Sequence, residues 1–239
     1  MSREFRFNRV LLKISGEALK GTQDHGYDAE AVREVVSRVK RIIDQDVEVA
    51  LVVGAGNIWR GVMGRSGGMD RVNADYMGML ATVMNALCLR DFFTAAGVPA
   101  IVQSSIGMEP IAPRYDRVKA IRALEAGQLV IFAGGTGSPF FTTDTTAVLR
   151  ALETDCDAVL KATKVDGVYT ADPMKDPSAR RFATLSFDEA LSRQLKVMDS
   201  TAFSMCRDND LPIIVFNFSD PESFEAVLAG DTAYGTIVS

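Results

Sequence analysis

An α/β fold, with a mostly parallel sheet covered on both faces by helices, is the architecture this sequence predicts on three observations. Short, β-branched and almost continuously apolar runs recur along the chain, as strands buried on both faces require. Helical patterns fall between them, so strand and helix alternate. Three of the runs end in glycine clusters, where open α/β sheets bind ligands.

The strand runs lie at residues 10–14, 47–53, 100–103, 129–133, 158–160 and 213–216. The first helical pattern, 28–44, places Val32, Val35, Val36, Val39, Ile42 and Ile43 on one side, with Arg and Glu elsewhere. Further helices are expected over 75–96, 116–126, 143–153, 187–194 and 221–229. In the 75–96 helix, Met77, Met79, Leu80, Val83, Met84, Leu87, Cys88, Phe92 and Phe93 cover too much of the circumference for a surface helix. Such a helix is expected to be buried all round, against its own core and against another subunit. No repeat, low-complexity tract or linker interrupts the pattern, so residues 1–239 read as one domain.

Composition narrows the function. Apolar residues at 47% and charged residues at 24% match soluble globular proteins and exclude disorder and a disulfide scaffold. Lys and Arg number 26 against 31 Asp and Glu, which argues against a nucleic-acid or anionic-membrane surface. An anionic small ligand needs only a few local cations. Residues 1–10 mix Arg3, Glu4, Arg6 and Arg9 with two Phe, and lack the apolar core of a signal peptide. The uncharged stretch that could suggest a membrane span, 76–89, has 14 residues, short of the ~20 such a span needs. Cys88, Cys156 and Cys206 are scattered in apolar surroundings and read as buried thiols of a reducing cytosol, so a cytoplasmic location is expected.

Several chemistries are excluded. His25 is the only histidine, so a Ser-His-Asp or Cys-His pair would depend on that one residue. Zinc spacings are absent, as is the G-x-x-x-x-G-K-[ST] loop. The dinucleotide pattern G-x-G-x-x-G fails at Trp59 after Gly54 and Gly56, and at Phe140 after Gly135 and Gly137. The glycine clusters are nevertheless suggestive. Lys13-Ile14-Ser15-Gly16-Glu17, Gly54-Ala55-Gly56-Asn57 with Arg60-Gly61, and Gly134-Gly135-Thr136-Gly137 each follow a strand. Glycines there let main-chain N–H groups approach an anion, and a following helix N-terminus reinforces the effect. Lys13, in or just after an apolar strand, calls for an anionic partner. Arg60 follows the second turn, and Thr142, Thr143 and Asp144 open a helix after the third. Together these groups form a phosphate-handling site. For the stretch around Asp166-Gly167 two readings stand: a hairpin turn, or a nucleoside contact with Tyr169 against a base and Thr163 and Asp172 as polar partners. Arg180-Arg181 reads as a solvated pair.

The same residues resemble the amino-acid kinase superfamily, and within it the bacterial UMP kinases, over essentially the whole chain. The resemblance rests on the ordered segments Leu12-Lys13-Ile14-Ser15-Gly16-Glu17-Ala18-Leu19, Gly56-Asn57 with Arg60-Gly61, Asp75-Tyr76-Met77-Gly78-Met79-Leu80-Ala81-Thr82, and Gly135-Thr136-Gly137-Ser138-Pro139-Phe140-Phe141-Thr142-Thr143-Asp144. Residues 161–173 and Leu195-Lys196-Val197-Met198-Asp199 extend it. It implies a three-layer α/β/α sandwich, a homo-oligomer of hexameric form, and phosphoryl transfer from ATP to UMP with Mg²⁺. By resemblance, Lys13, Ile14, Ser15 and Gly16 match the phosphate-proximal ATP segment, Gly56 and Arg60 further ATP contacts, and Thr163, Tyr169 and Asp172 the nucleoside side of the ATP site. Ala55, Asp75, Thr136, Gly137, Ser138, Pro139, Phe140, Phe141, Thr142 and Thr143 match the UMP site. Lys13, Arg60, Asp144 and Asp199 match catalytic positions. The family usually shows Gly-Gly-Gly-Asn where this chain has Ala55 in the middle, a departure that bears on a main-chain contact.

An acceptor phosphate oxygen is already ionised near neutral pH, so the implied reaction needs no strong base. Its difficulty is bringing two polyanions together. Two rival readings stand beside it: a kinase of a carboxylate or carbamate, and a non-catalytic nucleotide sensor. UTP is expected to inhibit at the UMP site. GTP is expected to activate weakly or differently, because Arg90 matches a basic effector position while Thr94, Ile101 and Gln128 stand where basic or imidazole groups would.

Overall fold

A computed structural model describes residues 5–60 and 68–239; Arg3, Glu4 and Gly61 lie outside the described residues. One eight-stranded sheet runs through the molecule in the order β3-β4-β2-β1-β5-β7-β8-β6. Its strands are β1 (Arg9–Ile14), β2 (Glu48–Val53), β3 (Ala100–Ser104), β4 (Leu129–Ala133), β5 (Ala158–Thr163), β6 (Thr184–Leu185), β7 (Ile213–Asn217) and β8 (Gly235–Val238). Every pairing is parallel except β7 with β8. The first four strands occupy one half of the sheet and the last four the other, meeting where β1 lies beside β5.

Helices cover both faces, as the alternation of strand and helix predicts. On one face α1 (Ala29–Ile43), α2 (Arg71–Ala95) and, much later in the chain, a short helix over Ser223–Leu228 pack onto Leu12, Ile14, Leu51 and Ile131. On the other face α3 (Arg117–Glu125), α4 (Thr143–Glu153), α5 (Phe187–Ser192) and α6 (Ser200–Asp208) pack onto Leu11, Val52, Phe132 and Val159; the Ser223–Leu228 helix is α7. Alternate residues of each strand serve opposite faces, which is why these strands carry apolar side chains throughout.

The structure corrects several sequence expectations. The helix expected from residue 75 begins at Arg71, because Asp70 caps it by accepting from the Val72 and Asn73 amides at 3.0 and 3.2 Å. It is not buried all round within one chain: Tyr76, Met77, Leu80 and Met84 are exposed. The strand expected at 158–160 extends to Thr163 and so takes Lys161 into the sheet. The 3₁₀ turn Gly16–Leu19 and strands β6 and β8 are short and specified by their neighbours, while the nine-residue helix α6 goes beyond the helices expected from the sequence. No hairpin forms at Asp166-Gly167; the chain returns further on, where Tyr169 pairs antiparallel with Arg181. Arg180 is solvated, but Arg181 is not: its guanidinium donates to the carbonyls of Thr232, Ala233 and Gly235 at 2.9, 2.9 and 2.7 Å. It thereby staples the chain before β6 to the start of β8.

Replacing Arg181 with Ala strands those carbonyls and should cost about 2–3 kcal/mol of stability. Urea unfolding of Arg181→Ala against Arg180→Ala checks this, since only the first should lower the midpoint.

Candidate active site

Strand register creates the centre of the site. Lys13 on β1 lies directly beside Lys161 on β5, near the carboxyl ends of both strands. Period-two alternation puts both side chains on the face that carries Leu11 and Val159, beneath α4. Two neighbouring ammonium groups in a half-buried setting need a counter-charge, and the first turn of α4 supplies it. Asp144 lies 2.9 Å from the Lys13 ammonium and 2.8 Å from that of Lys161, which also donates to the Val197 carbonyl at 2.7 Å. Each carboxylate oxygen thus faces one ammonium group, Oδ1 that of Lys13 and Oδ2 that of Lys161.

The helix end that holds Asp144 is itself braced. Thr142 caps α4, accepting from the Asp144 amide at 3.0 Å, and donates its hydroxyl hydrogen to Asp199. Asp199 also accepts from the Thr145 hydroxyl at 3.1 Å and caps α6 through the Ala202 amide at 3.0 Å. Both Asp199 oxygens are thus engaged on protein donors, and this residue acts on the site by tying α6 to the start of α4.

The first two glycine loops touch. A Cβ on Gly16 would lie 2.4 Å from the Gly54 carbonyl oxygen and 2.5 Å from Asn57 Oδ1, so only glycine lets them close. Asn57 and Asn85 exchange amide hydrogen bonds at 3.0 and 2.8 Å, and Asn85 also donates to the Gly54 carbonyl at 2.8 Å. Arg60 reaches back over this junction to Glu17, 2.5 Å away, and Glu17 also holds Lys20 at 3.2 Å. The Ile14 side chain is core, so only its backbone can meet a ligand. Ser15 caps the 3₁₀ turn. Ala55 avoids the left-handed backbone region, so its methyl group carries no conformational penalty.

Two clefts flank the lysine pair. The first, about 170 Å³, is lined by Ala55, Trp59, Asp75, Met79, Thr82, Gly135, Phe141, Thr142 and Thr143 among others. Asp75 accepts from Arg71 at 2.8 Å and from the Phe140 amide at 2.8 Å, while the Arg71 guanidinium sits 5.2 Å from the Phe140 ring centre. Phe140 has φ 75°, a left-handed conformation that the Asp75 contact helps to hold. Thr136, Gly137, Ser138, Pro139 and Phe140 form the loop beside this cleft without lining it. The second cleft, about 450 Å³, is lined by Lys161, Thr163, Tyr169, Asp172 and residues 193–197 among others. Tyr169 donates to Asp166 at 2.5 Å, a bond that together with burial raises its phenol pKa.

The structure therefore brings Lys13 and Asp144 into contact, and places Thr163, Tyr169 and Asp172 along one cleft with Ala55, Asp75, Phe141, Thr142 and Thr143 along the other. Thr143 lines the first cleft, the next residue pairs with Lys161, and Lys161 lines the second, so the ionic cluster is the seam between them. Sequence reasoning missed Lys161, Glu17, Asn85 and Trp59. Lys161 carried the same signal as Lys13, a lysine closing an apolar strand.

A cation-rich seam between two clefts at the carboxyl ends of parallel strands, with glycine loops beside it, defines a phosphotransferase site. The chain matches the model of the amino acid kinase family over residues 8–217 and belongs to that family. It is 52% identical to a uridylate kinase of Ectopseudomonas mendocina (strain ymp), covering 99% of this chain and 95% of the relative. Its fold superposes on the UMP kinase of Bacillus anthracis with a TM-score of 0.94, at 37% identity and coverage of 98% and 96%. The UMP kinase of Ureaplasma parvum gives 0.92, at 37% identity and coverage of 98% and 99%. Within the family, the chain falls among the uridylate kinases.

Burial pushes the Asp144 carboxyl up, and the Lys13 and Lys161 ammonium groups outweigh it, leaving the carboxyl below its ordinary 3.8. A carboxyl lowered by folding contributes stability that is complete above its unfolded value and is lost as pH falls through the folded one. Asp144→Asn should therefore flatten the acid limb of the stability profile below about pH 4. At neutral pH it should cost about 3–5 kcal/mol, for two uncompensated ammonium groups. Urea midpoints across pH 3–7 measure both, and an acid limb identical to the parent's would contradict the pairing.

Proposed function

We infer that this chain transfers the γ-phosphoryl group of ATP to UMP, with the acceptor in the first cleft and the donor in the second. The observation that carries the reading is the Lys13–Asp144–Lys161 cluster, whose Lys161 lines the second cleft and whose Asp144 follows Thr143 of the first. The UMP phosphate needs no strong base, since its second ionisation lies near pH 6. Catalysis is then positioning and charge compensation. Lys13 and Lys161 face the phosphates across the seam, and the glycine loops offer main-chain N–H groups. Arg60, paired with Glu17 in the free protein, is exposed and able to turn to a polyanion. Asp144 holds the lysines in register and limits their repulsion while the clefts are empty of nucleotide.

Mg²⁺ fits this residue set as a companion of ATP. Among the described residues no cluster of three acidic, histidine or cysteine groups forms a metal cage. Mg²⁺ instead favours one or two carboxylates with phosphates and water, and Asp144, the buried carboxylate between Lys13 and Lys161, is the one that would hold it. When bound, Mg²⁺ supplies charge neutralisation on the transferring group. UTP, as a uridine nucleotide, competes for the first cleft. Weak or altered activation by GTP is expected because Thr94, Ile101 and Gln128 stand where basic or imidazole groups would accompany Arg90. Among the described residues no helix is long and apolar enough to cross a membrane, and we place the reaction in the cytoplasm.

Self-association belongs to the same proposal. Tyr76, Met77, Leu80 and Met84 line one side of α2 and are 39–52% exposed, an apolar stripe that a second copy, within a hexamer, would cover.

Two measurements test these readings. An ADP-release assay offering UMP, CMP, dUMP, glutamate and carbamate should give turnover with UMP. Turnover confined to a carboxylate, or nucleotide binding without turnover, would replace the reading by one of its rivals. In that assay a folded Lys13→Ala variant should lose on the order of 10³-fold in kcat, and unchanged turnover removes the mechanism. For assembly, Met84→Glu should dissociate the oligomer by burying an unpaired charge. Sedimentation of the parent as a monomer at micromolar concentration contradicts the interface.

A further inference from the structure

A buried arginine outside the seam braces the loop whose Gly135 lines the first cleft. Arg150, two turns along α4 from the cap, is 5% exposed. Its guanidinium lies 3.7 Å from the Tyr115 ring centre, pairs with Glu153 and donates to the Ser105 hydroxyl at 2.9 Å. Ser105 passes that bond on, donating to the Gly135 carbonyl at 2.5 Å. Its amide also donates to the Ala133 carbonyl at 3.0 Å. The loop is held from its other end by Thr82, whose hydroxyl oxygen accepts from the Gly134 amide at 3.0 Å. A Cβ on Gly134 would meet Ser104 Oγ at 2.6 Å, so the loop lies hard against the end of β3.

This chain of contacts has a stereochemical consequence. A trans peptide holds its carbonyl and the following N–H in opposite directions. Turning the Gly135 carbonyl onto Ser105 therefore turns the Thr136 N–H away from it, and among the described residues that N–H meets no acceptor. A guanidinium stacked on Tyr115 and tied to Glu153 cannot swing away, and its charge strengthens the hydrogen bond it makes.

We propose that Arg150 and Ser105 are positioning residues for the acceptor nucleotide: they lock the Gly135–Thr136 peptide so that the Thr136 N–H is presented to it. The proposal rests on the first cleft being the acceptor side. It makes α4 serve both substrates, its first turn bearing Asp144 and its third bracing the acceptor loop.

Steady-state kinetics and hydrogen exchange of Ser105→Ala, Arg150→Met and Arg150→Lys test it. Ser105→Ala should raise KM for UMP roughly 3–10-fold, with KM for ATP and kcat within about twofold. Arg150→Met should do at least as much, and Arg150→Lys, which keeps a donor for Ser105, should recover part of the loss. Amides of residues 134–137 should exchange faster in Ser105→Ala, with residues 166–172 unaltered. A UMP KM that stays put in folded Ser105→Ala, or a KM for ATP that rises in step with it, overturns the proposal. Should Arg150→Met fail to fold, Ser105→Ala decides. Should the parent not phosphorylate UMP, the functional reading falls, and exchange at 134–137 still decides the brace: an unaltered rate overturns it.

Discussion

Two lysines on adjacent parallel strands, in register and on the same face, are an arrangement that folding does not tolerate without a carboxylate between them. Lys13 and Lys161 sit in that relation, and Asp144 is the group that makes it stable. Much of the surrounding structure follows from delivering that one side chain. Helix α4 must start at the carboxyl ends of β1 and β5, Thr142 must end the preceding loop in an extended conformation to cap it, and Asp199 must bring α6 alongside. The cost of a half-buried charge cluster is met by mutual pairing, and the excess of positive charge that remains is what a pair of phosphate-bearing substrates would use.

The second constraint is closeness. Gly16, Gly54 and Asn57 meet at distances that leave no room for a side chain at Gly16, and the buried Asn57–Asn85 pair fastens the junction to α2. Helix α2 therefore carries site chemistry on its inner side and the apolar stripe around Met84 on its outer side. One element faces both the phosphate loops and the surface through which copies of the chain would meet, which gives assembly and catalysis a shared scaffold.

The strands and the long helices were legible in the sequence because their signals are local. Short apolar runs and amphipathic periodicity need no knowledge of the rest of the chain. The phosphate-handling character was legible as well, since Lys13, Gly16, Gly56 and Asp144 each break the pattern of the element they end or begin. Elements without a pattern of their own were not: β6 and β8 are short, and their conformation is imposed by what they pack against.

What the sequence determined by itself was therefore the kind of layer each segment joins and the residue types gathered at strand ends. Tertiary structure decided which of them meet. Strand register, a long-range property, set Lys161 beside Lys13. The return of the chain at Tyr169 and Arg181 replaced a tight turn at Asp166-Gly167 and turned an apparently solvated arginine into a staple. The chain's own core left part of α2 uncovered, although its composition reads as buried on every side. In each case the physical reason is the same: hydrophobic periodicity specifies which face of an element is hidden, whereas the partner that hides it, and the charge that lies opposite, are chosen by residues far away in the chain.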